Sequence, residues 1–455
     1  MTRYQRIHYE LKQNILNKKL KQGQRLPSIT TLSKEYQCSK GTVIKALDLL
    51  CSQHIIYSKP QSGYYVADNL IREEIDAEGY YLNTGNPVID SLSTADTKHC
   101  LHLATELYAK HSLDVTLRGI DSLNEALIGY LAEDGIYAKK ENIHLILGIT
   151  QILTFLTVTP FPNGKEKILI EEPSTKHYVT FLRSVGAEVL TIPRNEDGID
   201  LRLLEEYFKN ESIKFFFTIP RNHNPLGTHY TYAQRKKIME LALKYDVYIV
   251  EDDYFGNTHK ISKYVPLHFF SYQKNCIYLR SFSKEFPFIR IGIAVIPNSF
   301  AKTFEQISGE SYFFSYHMPA LICQATLEAY IKSSIYEKHT MQVNKSIRKK
   351  LQIIKAVTGK WNPDLLYLVG ANSGYYFTLR LHPDIDVAGL IKHLEIKNVF
   401  ISSNEEAFYN KENFDNSIRL SVSQISAQHL REALEIIYEA VNGLEIEKGA
   451  LLEEV

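Results

Sequence analysis

The chain has 455 residues, 44% of them hydrophobic and 23% charged, which is enough for about two or three folding units with sizeable cores. This composition excludes wholesale disorder, and no apolar run approaches the ~20 residues that a membrane-spanning helix needs. The net charge of zero conceals an asymmetry, because residues 1–70 hold eleven Lys and Arg against four Asp and Glu. A head of charge +7 therefore precedes a body of charge −7, a distribution typical of nucleic-acid binding.

Neither a signal peptide nor a metal site is indicated by the sequence. The N-terminal stretch is polar and basic, and the five cysteines are scattered without Cys-x-x-Cys pairs or metal-like spacing. Reduced, structural cysteines are typical of the cytosol, so a cytoplasmic protein is expected.

Three short helices and a hairpin are predicted in the head. Ser39 can cap the third helix, and the stretches 55–57 and 64–66 flank a turn that ends at Gly63. Helical spacing relates Ile7, Leu11 and Ile15 in the first helix, Leu32 and Tyr36 in the second, and Val43, Ala46, Leu47 and Leu50 in the third. This order predicts a winged helix-turn-helix whose third helix can lie in a DNA major groove.

The head resembles the DNA-binding domain of GntR-type bacterial regulators. The matching motifs are Arg25-Leu26-Pro27-Ser28, Ser39-Lys40-Gly41-Thr42-Val43 and Gly63-Tyr64-Tyr65-Val66. Two positions depart from the family pattern, since Thr30 replaces an arginine and Gln61 replaces the first wing glycine. The resemblance implies DNA contacts from Arg25, Ser39, Lys40, Thr42, Lys45 and Gly63. The alternative is that these residues merely solvate a small helical domain.

The body is predicted to be an α/β structure. Apolar runs alternate with helical patterns from residue 81, as in βα units around a mostly parallel sheet. Beyond about residue 330 a long helix, two short strands and a closing helix indicate a smaller α+β domain. The expected boundaries are 1–67 for the head, 68–80 for a polar linker, 81–330 for the large domain and 331–455 for the small domain.

Polar motifs follow several of the apolar runs. Asn224 follows one run, Asp252 and Tyr254 end the next, and Ser281 and Lys284 follow a third. Ligand sites in open α/β sheets gather at the carboxyl ends of the strands, so these groups should converge.

The motifs together resemble fold-type I aminotransferases, and with the head they resemble the MocR subgroup of GntR regulators over nearly the whole chain. The resemblance implies a site for pyridoxal 5′-phosphate, with Lys284 forming the Schiff base. Asp252, favoured over Asp253 by its spacing to Tyr254, would keep the pyridine nitrogen protonated. The other expected ligands are Asn224 and Tyr254 for the phenolate oxygen, Gly148, Ile149, Thr150, Ser281 and Arg290 for the phosphate, and Arg419 for an effector carboxylate.

Two departures affect this cofactor site. Thr175 stands where the family places an aromatic that stacks on the pyridine ring, unless Tyr178 moves in to replace it. The spacing from Lys284 to Arg290 is one residue shorter than usual.

Three functions remain open at this point. The favoured hypothesis is a homodimeric regulator whose aminotransferase-like domain senses an amino acid, an amine or the cofactor itself and thereby alters binding to an operator DNA. The second is an aminotransferase with an appended DNA-binding domain. The third is a scaffold that binds no cofactor.

Overall fold

The basic head folds as a winged helix-turn-helix in the computed structural model. Its elements are α1 (Arg3–Leu16), α2 (Ile29–Glu35), α3 (Lys40–Ser52), β1 (Ile56–Lys59) and β2 (Gly63–Val66). β1 and β2 pair antiparallel, so the predicted three helices and hairpin are confirmed. The structure describes residues 2–16, 19–21, 23–52, 55–59, 62–67, 79–85, 92–111, 115–116, 118–256, 264–287, 289–310, 318–333 and 335–453.

Two serine caps set the starts of the second and third helices. The Oγ of Ser28 accepts a hydrogen bond from Thr31 N at 3.1 Å, and the Oγ of Ser39 accepts one from Thr42 N at 3.2 Å. Each bond satisfies a backbone donor that has no partner within its own helix. The apolar faces predicted for the three helices meet in one core; its fully buried members on α3 are Val43, Ala46, Leu47 and Leu50.

The body contains an eight-stranded sheet, a four-stranded sheet and helices packed on them. Its helices are α4 (Thr94–His111), α5 (Asp121–Ala132), α6 (Ile149–Val158), α7 (Lys176–Ser184), α8 (Leu201–Asn210), α9 (Tyr232–Lys244), α10 (Leu267–Phe270), α11 (Asn298–Glu310), α12 (Leu321–Lys332), α13 (Ile335–Thr358), α14 (Val387–Ile396) and α15 (Ala427–Glu453). Its strands are β3 (Tyr80–Tyr81), β4 (Val115–Thr116), β5 (Gly119–Ile120), β6 (Ile143–Ile146), β7 (Lys167–Glu172), β8 (Val189–Asn195), β9 (Gly198–Ile199), β10 (Ile213–Thr218), β11 (Tyr248–Asp252), β12 (Cys276–Ser281), β13 (Gly292–Val295), β14 (Leu366–Val369), β15 (Tyr376–Leu381), β16 (Val399–Phe400), β17 (Ser402–Ser403) and β18 (Ser417–Ser421).

The large sheet has the strand order β6-β13-β12-β11-β10-β7-β8-β9. Strands β8, β7, β10, β11 and β12 are parallel neighbours, which confirms the mostly parallel sheet. β13 runs antiparallel to both β12 and β6. The chain between Ser281 and Gly292 is too short for the dozen or so residues of a parallel crossover, so β13 returns antiparallel.

The middle of this sheet is covered on both faces. Phe215, Phe216 and Phe217 are consecutive residues of β10, and all three are fully buried. Successive side chains of a strand point to opposite faces, so an unbroken apolar run requires packing on both. The core thereby holds the strand ends, and the polar groups that follow them, in fixed positions.

The smaller sheet has the order β14-β15-β18-β17 and is antiparallel. A separate two-stranded pairing joins β3 to β16, with Tyr80 opposite Val399. Tyr80, expected as the last linker residue, therefore lies in a strand of the body.

The chain divides into two compact units, residues 1–78 and 79–455. The predicted linker over residues 68–78, and Gln61 in the wing, lie outside the described residues. Every helix within the described part of the chain is too short or too polar to span a membrane.

Candidate functional site

A cavity of about 740 Å³ lies where the central strands of the large sheet end. It brings together residues that the sequence separates by more than a hundred positions. All nine residues expected to bind the cofactor line it, namely Gly148, Ile149, Thr150, Asn224, Asp252, Tyr254, Ser281, Lys284 and Arg290.

One end of the cavity offers donors suited to a phosphate. Gly148 is the residue before α6, and the first backbone N–H groups of that helix have no partner inside it. Ser281 and the exposed Arg290 line the same cavity. A helix N-terminus combined with a hydroxyl and a guanidinium attracts anions.

Asp252 supplies a buried carboxyl to the cavity. Burial first, and next the charge of Asp253, raise the pKa of Asp252 to about 8. Its Oδ1 accepts a hydrogen bond from Tyr254 N at 3.0 Å, and no Lys, Arg or His among the described residues forms an ion pair with it. A buried carboxyl of this kind fits a protonated ring nitrogen, which would supply the missing cation.

Lys284 follows β12 and is largely buried. Its Nζ donates a hydrogen bond to the carbonyl of Gly85 and lies 3.5 Å from the hydroxyl of Tyr376. Burial acts to raise the pKa of Tyr376, but the nearby cations Lys284 and Arg419 outweigh it and lower that pKa. The amine is thus held at the cavity wall between the two sheets of the body.

The side chain of Tyr254 is held by its hydroxyl, which donates to the carbonyl of Asn222 at 2.7 Å. Burial raises the pKa of Tyr254, so this hydroxyl stays protonated at neutral pH. Asn224 lines the cavity two residues further along the same loop. The amide of Asn224 can donate to an oxygen of a bound ring, whereas the hydroxyl of Tyr254 would first have to turn away from the Asn222 carbonyl.

A buried ion pair supports the loop that carries Asn224. Arg194 pairs with Glu171, whose second oxygen accepts from Ile219 N at 3.0 Å and lies 3.2 Å from Nε2 of His223. Burial, and next the charge of Arg194, lower the pKa of His223 to about 4, so this histidine is neutral. Buried and neutral within this network, His223 is a structural residue of the loop.

Arg419 lies on β18 of the smaller sheet, at the edge of the site. Its Nη2 donates to the carbonyl of Asn83 at 2.6 Å, and its guanidinium carbon is 5.1 Å from the centre of the Tyr376 ring. Its Nε is buried without a hydrogen-bond partner among the described residues. The guanidinium contacts a backbone carbonyl rather than a core carboxylate, so it keeps a donor for an anion.

The position expected to stack on the pyridine ring holds a threonine, with a tyrosine nearby. Thr175 lines the cavity directly before α7, and Tyr178 lines it one turn later. The hydroxyl of Tyr178 is 2.9 Å from that of Thr157, and its ring packs edge-on against Phe217, so Tyr178 is held by its neighbours.

The sequence patterns did not mark several cavity residues, His177 and Tyr376 among them. His177 lies exposed on the first turn of α7, and Tyr376 begins β15 of the smaller sheet. No motif marks either one: His177 follows the end of β7 outside any recognised pattern, and Tyr376 reaches the cavity from the smaller sheet.

The groups expected to contact DNA lie on the surface of the head. Lys40 and Lys45 are exposed on α3, with Thr42 half-buried between them. The Nζ of Lys45 lies 4.7 Å from the centre of the Tyr4 ring. Arg25 lies beside the wing, where a Cβ on Gly63 would be 3.4 Å from its Nε.

Both parts of the chain match known families. Residues 82–437 match the aminotransferase class I and II family, and residues 3–66 match the bacterial regulatory proteins of the gntR family. The HTH-type transcriptional regulator YcxD of Bacillus subtilis is 32% identical, over 96% of this chain and 99% of the relative. NorG, an HTH-type transcriptional regulator of Staphylococcus aureus, is 23% identical over 91% of this chain and 98% of its own length.

Among solved structures, the fold of the body is shared with kynurenine aminotransferase of Pyrococcus horikoshii, in complex with PMP. The TM-score is 0.71, at 22% identity, over 80% of this chain and 90% of that one. The α-aminoadipate aminotransferase LysN of Thermus thermophilus, complexed with N-(5′-phosphopyridoxyl)-L-leucine, has a TM-score of 0.69 at 20% identity, over 80% of this chain and 92% of its own. The expected aminotransferase fold is confirmed.

Proposed function

We propose that the chain, which belongs to the aminotransferase class I and II family and carries a gntR-family DNA-binding head, regulates transcription in response to a small amino-acid ligand. It would do so through pyridoxal 5′-phosphate held on Lys284. Relatives that match it over nearly their full length are HTH-type transcriptional regulators.

The observation that carries the proposal is the cavity at the strand ends. It combines a buried amine, a buried carboxyl of raised pKa and an anion-binding helix start, at Lys284, Asp252 and Gly148. These three groups match the aldehyde, the ring nitrogen and the phosphate of one molecule. Their convergence supports pyridoxal phosphate more than any one group does.

Pyridoxal phosphate, when bound, supplies an aldehyde that captures amines and a ring that withdraws electrons. The protein's part is to position it. The Lys284 amine holds the reactive end, Asp252 keeps a cation at the ring nitrogen, and Ser281 with Arg290 neutralises the phosphate.

A carboxylate-bearing amino acid fits the site better than a simple amine. The buried Nε of Arg419 and its neighbouring Nη2 can donate two parallel hydrogen bonds to one carboxylate. Arg419 lies over Tyr376, whose hydroxyl reaches Lys284, so a short ligand can span the reactive end of the cofactor and the guanidinium.

Regulation is favoured over turnover by the combination of head and site. A basic winged helix serves no evident purpose in a metabolic enzyme, whereas a ligand that binds two arrangements of the protein unequally can shift DNA binding. Thr175, in place of a stacking aromatic, also leaves one face of the ring less restrained. Sustained conversion of an amino acid and a 2-oxo acid would favour the enzyme instead.

The decisive experiment is a visible absorbance spectrum of the purified full-length protein during titration with amino acids and with their decarboxylated amines. We expect a band from lysine-bound cofactor that changes on addition of amino acids. Lys284→Ala should abolish the band and the ligand response while retaining DNA binding. Lys302→Ala, which removes an exposed lysine of α11, is the matched control and should change neither.

A protein that takes up no cofactor, with the same spectrum in Lys284→Ala, would establish the scaffold hypothesis. Loss of DNA binding in Lys284→Ala, in a protein that remains folded, would contradict the assignment of DNA contact to the head.

A further inference from the structure

The described body begins with a short segment, residues 79–85, that follows the predicted linker in the chain. We call it the tether segment. Its first half is fixed by backbone hydrogen bonds: Tyr80 N donates to Asn398 O at 2.8 Å, and Leu82 N donates to Phe400 O at 2.9 Å. Leu82 is fully buried. This half is therefore an integral strand of the body.

The second half of the tether segment is held by the functional side chains of the site. The carbonyl of Asn83 accepts from Nη2 of Arg419 at 2.6 Å, and the carbonyl of Gly85 accepts from Nζ of Lys284. A Cβ at position 85 would lie 1.8 Å from the hydroxyl of Tyr376, so glycine permits this close approach. Lys284, proposed to hold the cofactor, and Arg419, proposed to bind the ligand, thus both contact the backbone that directly follows this strand.

Two serine hydroxyls complete this attachment without lining the cavity. Ser402 donates to the carbonyl of Asn83 at 3.1 Å, and Ser423 donates to the carbonyl of Thr84 at 2.8 Å. They contact the tether segment and can be changed without altering the groups that would meet a ligand.

We propose that the Asn83 carbonyl is an internal competitor for Arg419, so that an amino-acid carboxylate displaces it and releases residues 83–85 of the tether segment. This inference rests on the proposed function, since it requires a ligand carboxylate at Arg419. A carboxylate binds a guanidinium more strongly than a neutral carbonyl does, because the bond is charge-assisted at both ends. Occupancy of the site is thereby passed to residues 83–85, which follow the strand at Tyr80–Tyr81 that the linker enters.

The competition between the carboxylate and the Asn83 carbonyl can also be measured through the affinity of the ligand. If the carboxylate and the Asn83 carbonyl compete, any change that weakens the tether segment must strengthen ligand binding by the same factor. A change that only damages the fold would weaken ligand binding instead.

The test uses the cofactor-loaded full-length protein with Ser402→Ala, and with Ser403→Ala as the matched control. Ser403 is the adjacent residue of β17, and its Oγ accepts from Glu405 N at 3.0 Å rather than contacting the tether segment. L-alanine, glycine and L-glutamate are titrated separately by visible absorbance. Hydrogen–deuterium exchange of the peptide that covers residues 79–85 is measured with and without each one.

We expect Ser402→Ala to speed exchange at residues 83–85 about fivefold without ligand, the factor that one net hydrogen bond contributes, and to tighten amino-acid binding by up to the same factor. Saturating amino acid should speed this exchange in the unchanged protein, and Ser403→Ala should behave like that protein. Arg419→Gln, without ligand, should also show fast exchange.

Unchanged exchange on saturation, or unchanged or weaker ligand binding in Ser402→Ala, would overturn this inference and leave the proposed function standing. Absence of the cofactor band, or of any response to the three amino acids, would overturn the inference and the amino-acid part of the proposed function together.

Discussion

Arg221 holds Asp253 through two hydrogen bonds, from Nε and Nη2, each of 2.6 Å. The same carboxylate accepts from the hydroxyl of Tyr278 and lies 3.4 Å from Nη2 of Arg280. The Asp253 carboxylate is thus hydrogen-bonded to side chains of the protein, while its neighbour Asp252 lines the cavity. The pairing supports Asp252, rather than Asp253, as the carboxyl that a ligand meets.

Asp252→Asn should stabilise the cofactor-free protein at alkaline pH. The native pKa of about 8 lies above the ordinary value of 3.8, so the folded state binds more protons than the unfolded state between these pH values. Stability therefore falls as pH rises from about 4 to about 8, and the amide removes that contribution. We expect a Tm gain on the order of 2 °C at pH 8 and none at pH 4.

Thermal unfolding of cofactor-free protein from pH 4 to pH 8.5 checks this prediction. Glu251, whose pKa is raised to about 7 mainly by burial, keeps part of the pH dependence in the variant. An unchanged slope of Tm against pH in Asp252→Asn would contradict it.

Asp253→Asn should destabilise the protein at every pH in that range. It leaves the buried guanidinium of Arg221 without its charged partner, and breaking a buried ion pair costs about 3–5 kcal/mol. The free energy of unfolding in urea is the measurement. Equal behaviour of the Asp252 and Asp253 variants would show that the two carboxyls do not have the separate environments described above.

Arg419→Gln should remove the preference of the site for ligands that carry a carboxylate over amines that lack one. Hydrogen bonds to charged groups contribute about 1.5–3 kcal/mol, so L-alanine should bind at least about tenfold more weakly, whereas ethylamine should bind unchanged. Visible titration of both ligands gives the comparison. Arg380→Gln is the control, because Arg380 lies exposed on the adjacent strand β15 and pairs with Asp415 at 2.8 Å. If L-alanine and ethylamine lost affinity equally, the ligand carboxylate would bind at a position other than Arg419.

Thr175→Tyr should tighten cofactor binding about fivefold, because an aromatic stack contributes about 1 kcal/mol. Thr175 makes no side-chain cap to α7, so its replacement forfeits no helix-capping bond. Pyridoxal phosphate affinity by fluorescence or absorbance tests this, with Thr180→Tyr on the exposed side of α7 as control. An affinity equal to that of the control would show that no ring face is accessible from position 175.

Lys40→Ala should weaken DNA binding and reduce its salt dependence. Lys40 is exposed at the start of α3, and loss of one phosphate contact lowers the slope of log affinity against log salt by about 1. Binding of the full-length protein to duplex DNA at several salt concentrations measures the slope. Lys392→Ala, at an exposed position on α14 of the body, should leave the slope unchanged. A normal slope in Lys40→Ala would argue against α3 as the DNA-contacting helix.

The amino-acid sequence determined the local structure on which the function depends. The Ser39 cap, the apolar spacing of α3 and the polar residues that end apolar runs are short-range patterns, and helix starts and strand ends follow from them directly. Because parallel strands end at one edge of a sheet, these patterns also predicted that Asn224, Asp252 and Lys284 share a cavity, and they do.

The tertiary structure alone decided what surrounds those groups. Gly85 lies 199 residues from Lys284 in the chain, and Asn83 lies 336 residues from Arg419, yet each pair is hydrogen-bonded. Tyr376 likewise reaches the cavity from a different sheet. Contacts of backbone carbonyls carry no residue-type signature, and their partners are fixed by how two sheets pack, so no pattern along the chain could have indicated them.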